Sequence, residues 1–238
     1  MAFAHRGDGE AAPENTAAAF ESAVGLGFRY LETDVHCTRD GALIAFHDDR
    51  LDRVTDQRGS IARLDYKDVA GARVSGREPI PLMEELLGNF PEIRFNIDPK
   101  ADAAVSPLIE VIRRTRAQER VCIGSFSDKR LKQIRSALPG ICTSMATLET
   151  TRARLSSIGL PIGRLQAACA QVPVVWNGIR VIDRRFVTAM KSRSLQVHVW
   201  TVNESKEMER LLDLGIDGLM TDRPRVLKEL LLKRGQWA

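Results

Sequence analysis

The stretch "AFAHRGDGEAAPENTAAAFESAVGLGFRYLETDV", residues 2 to 35, runs from a short apolar segment through a polar loop and a helix-like segment into a second apolar segment. "AFAH" (2 to 5) and "RYLETDV" (29 to 35) have the length and composition of strands. Between them "NTAAAFESAVGLG" (15 to 27) reads as a helix that Gly27 suits as an end. Strand, helix, strand is the unit from which parallel sheets are built. What decides the fold is how often the rest of the chain repeats it.

Working outward, further strands are expected at "IRFNID" (93 to 98), "RVCIGSF" (120 to 126), "ICTSM" (141 to 145), "RLQAAC" (164 to 169), "LQVHVWTV" (195 to 202) and "DGLMTD" (217 to 222), which makes eight. Helices are expected between them, among them "AAVSPLIEVIRRTR" (103 to 116) and "ESKEMERLLDLG" (204 to 215), where Gly215 suits the end. "VPVVW" (172 to 176) competes with "RLQAAC" for the sixth strand. Eight units in 238 residues favour an α/β fold of the closed (β/α)8 TIM-barrel type over an open sheet, because no G-x-G-x-x-G follows the first strand. We expect one domain over 1–238, with an insertion over 41–81 at the catalytic face, between the second and third units. There Leu51, Val54, Ile61, Leu64 and Val69 could pack as a small cap; the alternative is an unstructured linker.

Hydrophobic residues make up 44% and charged residues 28%, which excludes a disordered or fibrous chain. The net charge of +4 mildly favours anionic partners, but with no run of like charges and no zinc-finger spacing, no nucleic-acid partner is expected. Cys37, Cys122, Cys142 and Cys169 are scattered, so neither a disulfide framework nor a thiolate metal site is indicated, and Cys122 and Cys142 read as small core residues. Without a signal-like start or a long apolar run, the expected location is the cytoplasm and no stable membrane insertion is expected. The basic, amphipathic "VLKELLLKR" near the carboxyl terminus reads as the last barrel helix.

In "ETDVH", Glu32 and Asp34 lie two apart on a strand and so share one face. Two ionised carboxylates this close repel unless a cation or protons compensate. In "NIDPK", Asp98 and Lys100 repeat the spacing at the end of the third strand. Glu32, Asp34 and Asp98 together make a hard, all-oxygen set suited to one divalent cation, Mg²⁺ or Ca²⁺. His5 ends the first strand and His47 ends "LIAFHDD", placing two imidazoles beside that set for acid/base work. His36 continues the face of Glu32 and Asp34 but is expected in the loop. His198 shares a face with Trp200, which would form an apolar wall for a glycerol or alcohol moiety.

"HRG", "PENT", "ETDVHCTRDG", "HDDRLDRVTDQRG", "IPLMEELL", "FNIDPK", "VHVWTVN" and "GIDGLMTDRP" occur in one order. Together they resemble the glycerophosphodiester phosphodiesterases. The resemblance implies hydrolysis of a small glycerophosphodiester to sn-glycerol 3-phosphate and an alcohol. His5 and His47 would be the acid/base pair, Glu32, Asp34 and Asp98 the metal ligands, Arg6 and Lys100 the phosphate contacts, and Trp200 a pocket wall. Many members carry Glu where this chain has Asp98, followed here by Pro99, which leaves the metal preference open. Two other readings remain: a lysophospholipase D working at a membrane surface, which an apolar patch on the 41–81 insertion would favour, and a non-catalytic barrel that binds a phosphometabolite. A carboxylate-pair glycosidase fits less well, since Glu32 and Asp34 lie on one strand face.

Overall fold

The computed structural model describes residues 1–237. Eight parallel strands form the centre: β1 (Ala2–His5), β2 (Tyr30–Cys37), β3 (Arg94–Pro99), β4 (Val121–Ile123), β5 (Cys142–Thr143), β6 (Cys169–Pro173), β7 (Gln196–Trp200) and β8 (Gly218–Thr221). Each is followed by a helix: α1 (Ala17–Gly25), α2 (Met83–Asn89), α3 (Val105–Arg114), α4 (Asp128–Ala137), α5 (Thr147–Ser156), α6 (Arg184–Lys191), α7 (Ser205–Leu214) and α8 (Pro224–Lys233). The strands pair in the order β5-β4-β3-β2-β1-β8-β7-β6. The ring closes where Ser144 pairs with Cys169, with Met145 N–H donating to the Cys169 carbonyl at 3.0 Å and Ala168 N–H to that of Thr143 at 2.9 Å. This is the expected (β/α)8 barrel.

Alternation along the strands sorts the side chains. Leu31 and Val35 of β2, Phe95 and Ile97 of β3 and Val197 and Val199 of β7 join the main apolar core under the helices. Glu32 and Asp34, Asn96 and Asp98, and His198 and Trp200 therefore belong to the barrel interior. The helices answer with amphipathic faces. In α3, Leu108, Ile109, Val111 and Ile112 are buried, each worth about 1.5–3 kcal/mol as a side chain removed from water. In α8, Leu227, Leu230 and Leu231 are buried, so "VLKELLLKR" is a barrel helix. No helix among the described residues is long and apolar enough to cross a membrane.

Three local readings change. The sixth strand, Cys169–Pro173, begins where "RLQAAC" ends and stops inside "VPVVW", because only this register turns Ala170 and Val172 to the core and Gln171 inward. His36 lies in β2 rather than in a loop: an arm at Leu43–Ala45 folds back antiparallel on the strand and extends it through Cys37. Cys122 and Cys142 are half-buried rather than core residues, and they line the interior, where the Cys122 and Cys169 thiols approach to 3.9 Å.

The segment between β2 and α2 carries turns at Leu51–Arg53, Ile61–Arg63 and Tyr66–Val69 and a short ribbon of Arg73–Val74 with Glu78–Pro79. Ile44, Phe46, Leu51, Ile61, Val69, Ala72, Val74 and Ile80 form its own buried cluster, with Val54 and Leu64 packed against it. None of its large apolar side chains belongs to the exposed set; of the exposed apolar residues, Phe126, Leu148, Val175, Trp176 and Ile179 lie on the segments that follow β4, β5 and β6, while Leu155, Ile158 and Leu160 lie at the end of α5 and just beyond it.

Candidate active site

The loop after β1 is forced tight against α1. A Cβ on Gly7 would come within 2.7 Å of the Ala19 backbone and side chain, and the residue sits at φ +87, so "HRG" requires its glycine. Arg6 holds a left-handed φ of 58, a conformation non-glycine residues keep only where the surroundings impose it. Its N–H donates to the Glu32 carbonyl at 3.0 Å, and its carbonyl accepts from Asn15 N–H at 2.9 Å. Thr16 caps α1 by accepting from Ala19 N–H at 3.2 Å, which starts the helix two residues later than the sequence pattern suggests.

His5 is pinned at one nitrogen. Its Nδ1–H donates to Asp222 Oδ1 at 2.5 Å, and Asn203 Nδ2 donates to Asp222 Oδ2 at 2.8 Å. His5 Nε2 is thereby left facing Glu32 Oε2 at 3.6 Å. Burial works against a charge on His5, but Glu32 and the Asp222 hydrogen bond outweigh it and raise its pKa. His47 follows the arm beside β2, where Phe46 N–H donates to the Asp34 carbonyl at 2.9 Å. It repeats the device, with Nδ1–H donating to Asp48 Oδ1 at 2.6 Å while Arg53 Nε holds Asp48 Oδ2 at 2.5 Å. The Arg53 hydrogen bonds pull the Asp48 carboxyl down to about 2. His36 supports this loop from below, its Nε2–H donating to the His47 carbonyl at 3.0 Å.

Between the imidazoles runs a chain of charges. Arg53 Nη2 and Arg6 Nη1 both bind Glu14 Oε1, at 2.7 and 3.1 Å. Arg6 Nε stands 3.2 Å from Asp34 Oδ2, and Lys100 Nζ bridges Asp34 Oδ1 at 2.7 Å and Asp98 Oδ2 at 2.9 Å. Burial alone would raise the pKa of Asp34, but Lys100 and Arg6 hold it below the usual carboxylate range. Burial raises that of Asp98 despite Lys100. Glu32 is the exception. It is 5% exposed, Oε2 has no hydrogen-bond partner, and burial followed by the Asp34 charge pushes its pKa up to about 7. A cleft of about 510 Å³ opens beside His47 and is lined by His36, His47, Asp48, Arg53 and Lys100.

The structure thus brings His5, Arg6, Glu32, Asp34, Asp98 and Lys100 together, with His47 alongside. No group of three acids, imidazoles or thiols among the described residues is gathered closely enough to be a ready-made metal cluster, Lys100 standing between Asp34 and Asp98. Trp200 lies outside the ionic chain and meets the Phe126 ring edge-on at 5.7 Å. His198 lies on the interior face, buried, with Nδ1 3.4 Å from Gln171 Nε2, and burial lowers its pKa to about 4, so it stays neutral. Sequence reasoning missed Asp222, Asn203, Asp48, Arg53 and Glu14. Asp222 was open to the rule that exposed Asp34 and Asp98, a polar residue closing a barrel strand. Nothing in spacing marks Arg53.

A model of the glycerophosphoryl diester phosphodiesterase family matches residues 5–226. A probable glycerophosphodiester phosphodiesterase 2 of Mycobacterium tuberculosis is 40% identical over all of this chain and 92% of its own length. Among solved structures, a glycerophosphoryl diester phosphodiesterase homologue from Silicibacter pomeroyi has a TM-score of 0.84 at 21% identity, covering 100% of this chain and 95% of its own. A phosphodiesterase from Oleispira antarctica, solved with the product sn-glycerol-3-phosphate, has a TM-score of 0.83 at 22% identity, covering 97% and 96%.

Proposed function

Because the chain belongs to the glycerophosphoryl diester phosphodiesterase family, we propose that it hydrolyses glycerophosphodiesters to sn-glycerol 3-phosphate and an alcohol, with His5 and His47 as its acid/base pair. The observation that carries this reading is the matched pair of dyads, His5 with Asp222 and His47 with Asp48, flanking a chain of ion pairs that includes Arg6 and Lys100. A carboxylate on each Nδ1 holds both imidazoles in one tautomer and leaves each Nε2 available for proton transfer.

Diester cleavage needs a base for the nucleophile, positive charge on the phosphoryl oxygens and an acid for the departing alkoxide. One imidazole takes a proton from the attacking oxygen as it bonds to phosphorus. The other hands a proton to the alkoxide as the P–O bond breaks. The attacking oxygen is either a water, which gives glycerol 3-phosphate directly, or the glycerol 2-hydroxyl, which gives a cyclic phosphate that a water then opens by the same proton transfers in reverse. Arg6 and Lys100 hold the phosphoryl oxygens, and their own counter-ions, Glu14, Asp34 and Asp98, keep both side chains aimed at the mouth. Trp200 would line the side on which the alcohol moiety lies. The 41–81 insertion contributes His47, Asp48 and Arg53, and we assign it to the catalytic face of a single barrel domain.

The oxygen donors also fit one hard divalent cation, Mg²⁺ or Ca²⁺. Glu32 Oε2 is buried without a partner, Asp34 shares its face, and Asp98 is the register partner of Asp34 in β3. Glu32, Asp34 and Asp98 are the residues that would hold it, and once bound it supplies positive charge for the phosphoryl oxygens.

The direct test incubates purified protein with glycerophosphocholine and Mg²⁺ or Ca²⁺ and measures glycerol 3-phosphate; no product with either ion overturns the reading. Asp222→Ala should lower kcat roughly 10- to 100-fold with little change in KM, as loss of an orienting partner does elsewhere. Asp222→Glu, which keeps a carboxylate for Nδ1–H, should retain more. Equal losses in the two variants would remove the positioning role from Asp222.

A further inference from the structure

We propose that the barrel rim beside the active site docks on an anionic phospholipid bilayer through a β-hairpin, residues 175–180, together with Phe126 and Leu148. Val175 pairs with Arg180 and Trp176 with Ile179, and the hairpin stands in the loop between β6 and α6. Phe126 lies between β4 and α4, and Leu148 in the first turn of α5. All three loops follow the carboxyl ends of barrel strands, so the apolar side chains share the rim on which the catalytic residues open.

The exposure is high for side chains of this kind: Val175 50%, Trp176 48%, Ile179 67%, Phe126 49% and Leu148 65%. Trp176 and Ile179 share one face of the hairpin, which connects through Trp176 to Phe126 and Leu148, and Val175 and Arg180 form its other face. The Phe126 and Trp176 rings stack at 5.3 Å, and Thr147, next to Leu148, donates its hydroxyl to the Phe126 carbonyl at 2.9 Å. Scattered exposed apolar residues are ordinary, but a joined set of this size marks a contact surface. Its shape argues for a lipid interface. The hairpin turns on Asn177 at φ 47 and Gly178 at φ 78, the two-residue turn with both centres left-handed, which makes a stiff projecting tip rather than a groove. Tryptophan at such a tip suits the headgroup layer, where its ring is apolar and its N–H stays wet.

The charges around the tip complete the argument. Arg180 on the hairpin and Arg184 and Arg185 in the first turn of α6 are exposed. Nearby acids are already engaged, Asp183 with Arg154 at 2.7 Å and Glu207 with Arg210 at 2.7 Å. Arg180, Arg184 and Arg185 make no ion pair of their own among the described residues, although Arg180 lies within electrostatic reach of Glu207 and Arg185 of Asp183. The surplus positive charge at this tip is what an anionic leaflet attracts and salt weakens. Docking in this pose turns the phosphodiester site toward the bilayer.

Sedimentation with vesicles tests the proposal without reading activity. One set is phosphatidylcholine alone and the other includes about 30% phosphatidylglycerol. Wild type should pellet with the anionic vesicles at low salt and much less with phosphatidylcholine. Trp176→Ser with Ile179→Ser should cut the bound fraction at least tenfold, and Arg180→Glu severalfold. All variants should hydrolyse soluble glycerophosphocholine at the wild-type rate. Wild type remaining in the supernatant with both vesicles, the double variant pelleting normally, or equal binding to both compositions would each overturn the proposal. So would a wild-type dimer, detected by light scattering, that the double variant dissociates, since the patch would then be covered by a second copy.

Discussion

His5→Gln should lower kcat on glycerophosphocholine by roughly 10²- to 10⁴-fold while leaving KM close to wild type. The separation of the two constants follows from the geometry. Arg6 and Lys100, the proposed phosphate contacts, take their places from Asp34, Asp98 and Glu14, and none of those ion pairs includes His5. Removing the imidazole would therefore delete the proposed proton carrier and spare the proposed anion site. His47→Gln should behave alike, and the double variant should lose little more than either single variant, because two groups that serve one proton circuit act as a unit. Steady-state kinetics on the three proteins gives the answer. A His5→Gln enzyme with near-normal kcat would take that imidazole out of the chemistry, and losses that multiply in the double variant would overturn the single proton circuit.

Glu32→Gln should make the metal-free protein more stable and inactive. Glu32 is buried beside Asp34 with an unpartnered oxygen, and its pKa is raised from 4.5 to about 7. A carboxyl whose folded-state pKa lies above its unfolded value binds more protons when folded between those two values. Stability therefore falls as pH rises from 4.5 to 7, and the whole penalty, roughly 3 kcal/mol at most, is present at pH 8. A neutral amide does not carry it. In chelator at pH 8 the Gln variant should melt several degrees above wild type, and the gap should close toward pH 4.5. Adding Mg²⁺ or Ca²⁺ should raise the wild-type melting temperature and have much less effect on the variant. Asp34→Asn should move the other way, by about 3 kcal/mol of lost stability, since it strips a buried counter-ion from Lys100 and Arg6. Thermal melts at two pH values with and without the cations distinguish these outcomes. A Gln variant less stable than wild type in chelator would mean that the buried Glu32 carboxylate does not cost the fold stability.

The opposite signs expected at Glu32 and Asp34 show how far sequence could reach. Both acids were visible as a same-face pair on a strand, yet nothing in "ETDVH" says which one the cations will satisfy. Lys100 arrives on β3 and Arg6 from the loop after β1, and only the packed barrel brings both to Asp34 rather than to Glu32. The sixth strand shows a related limit. Its two candidate segments overlap in composition, and the register was settled by whether Gln171 or Val172 turned inward.

Periodicity and residue type, which act over a few neighbours along the chain, were enough to determine a ring of eight strands and helices and to single out His5, His47, Glu32, Asp34, Asp98 and Lys100. Only the tertiary structure decided that Asp222, from the far end of the chain, orients His5, that Asp48 and Arg53 do the same for His47, and that the segment after β2 buries its large apolar side chains while the rim after β4, β5 and β6 exposes Phe126, Leu148, Trp176 and Ile179. The reason is physical. A local pattern reports which face a side chain turns to, whereas a hydrogen-bond partner is chosen by where the closing barrel sets residues more than 200 positions apart within 2.5 Å of each other.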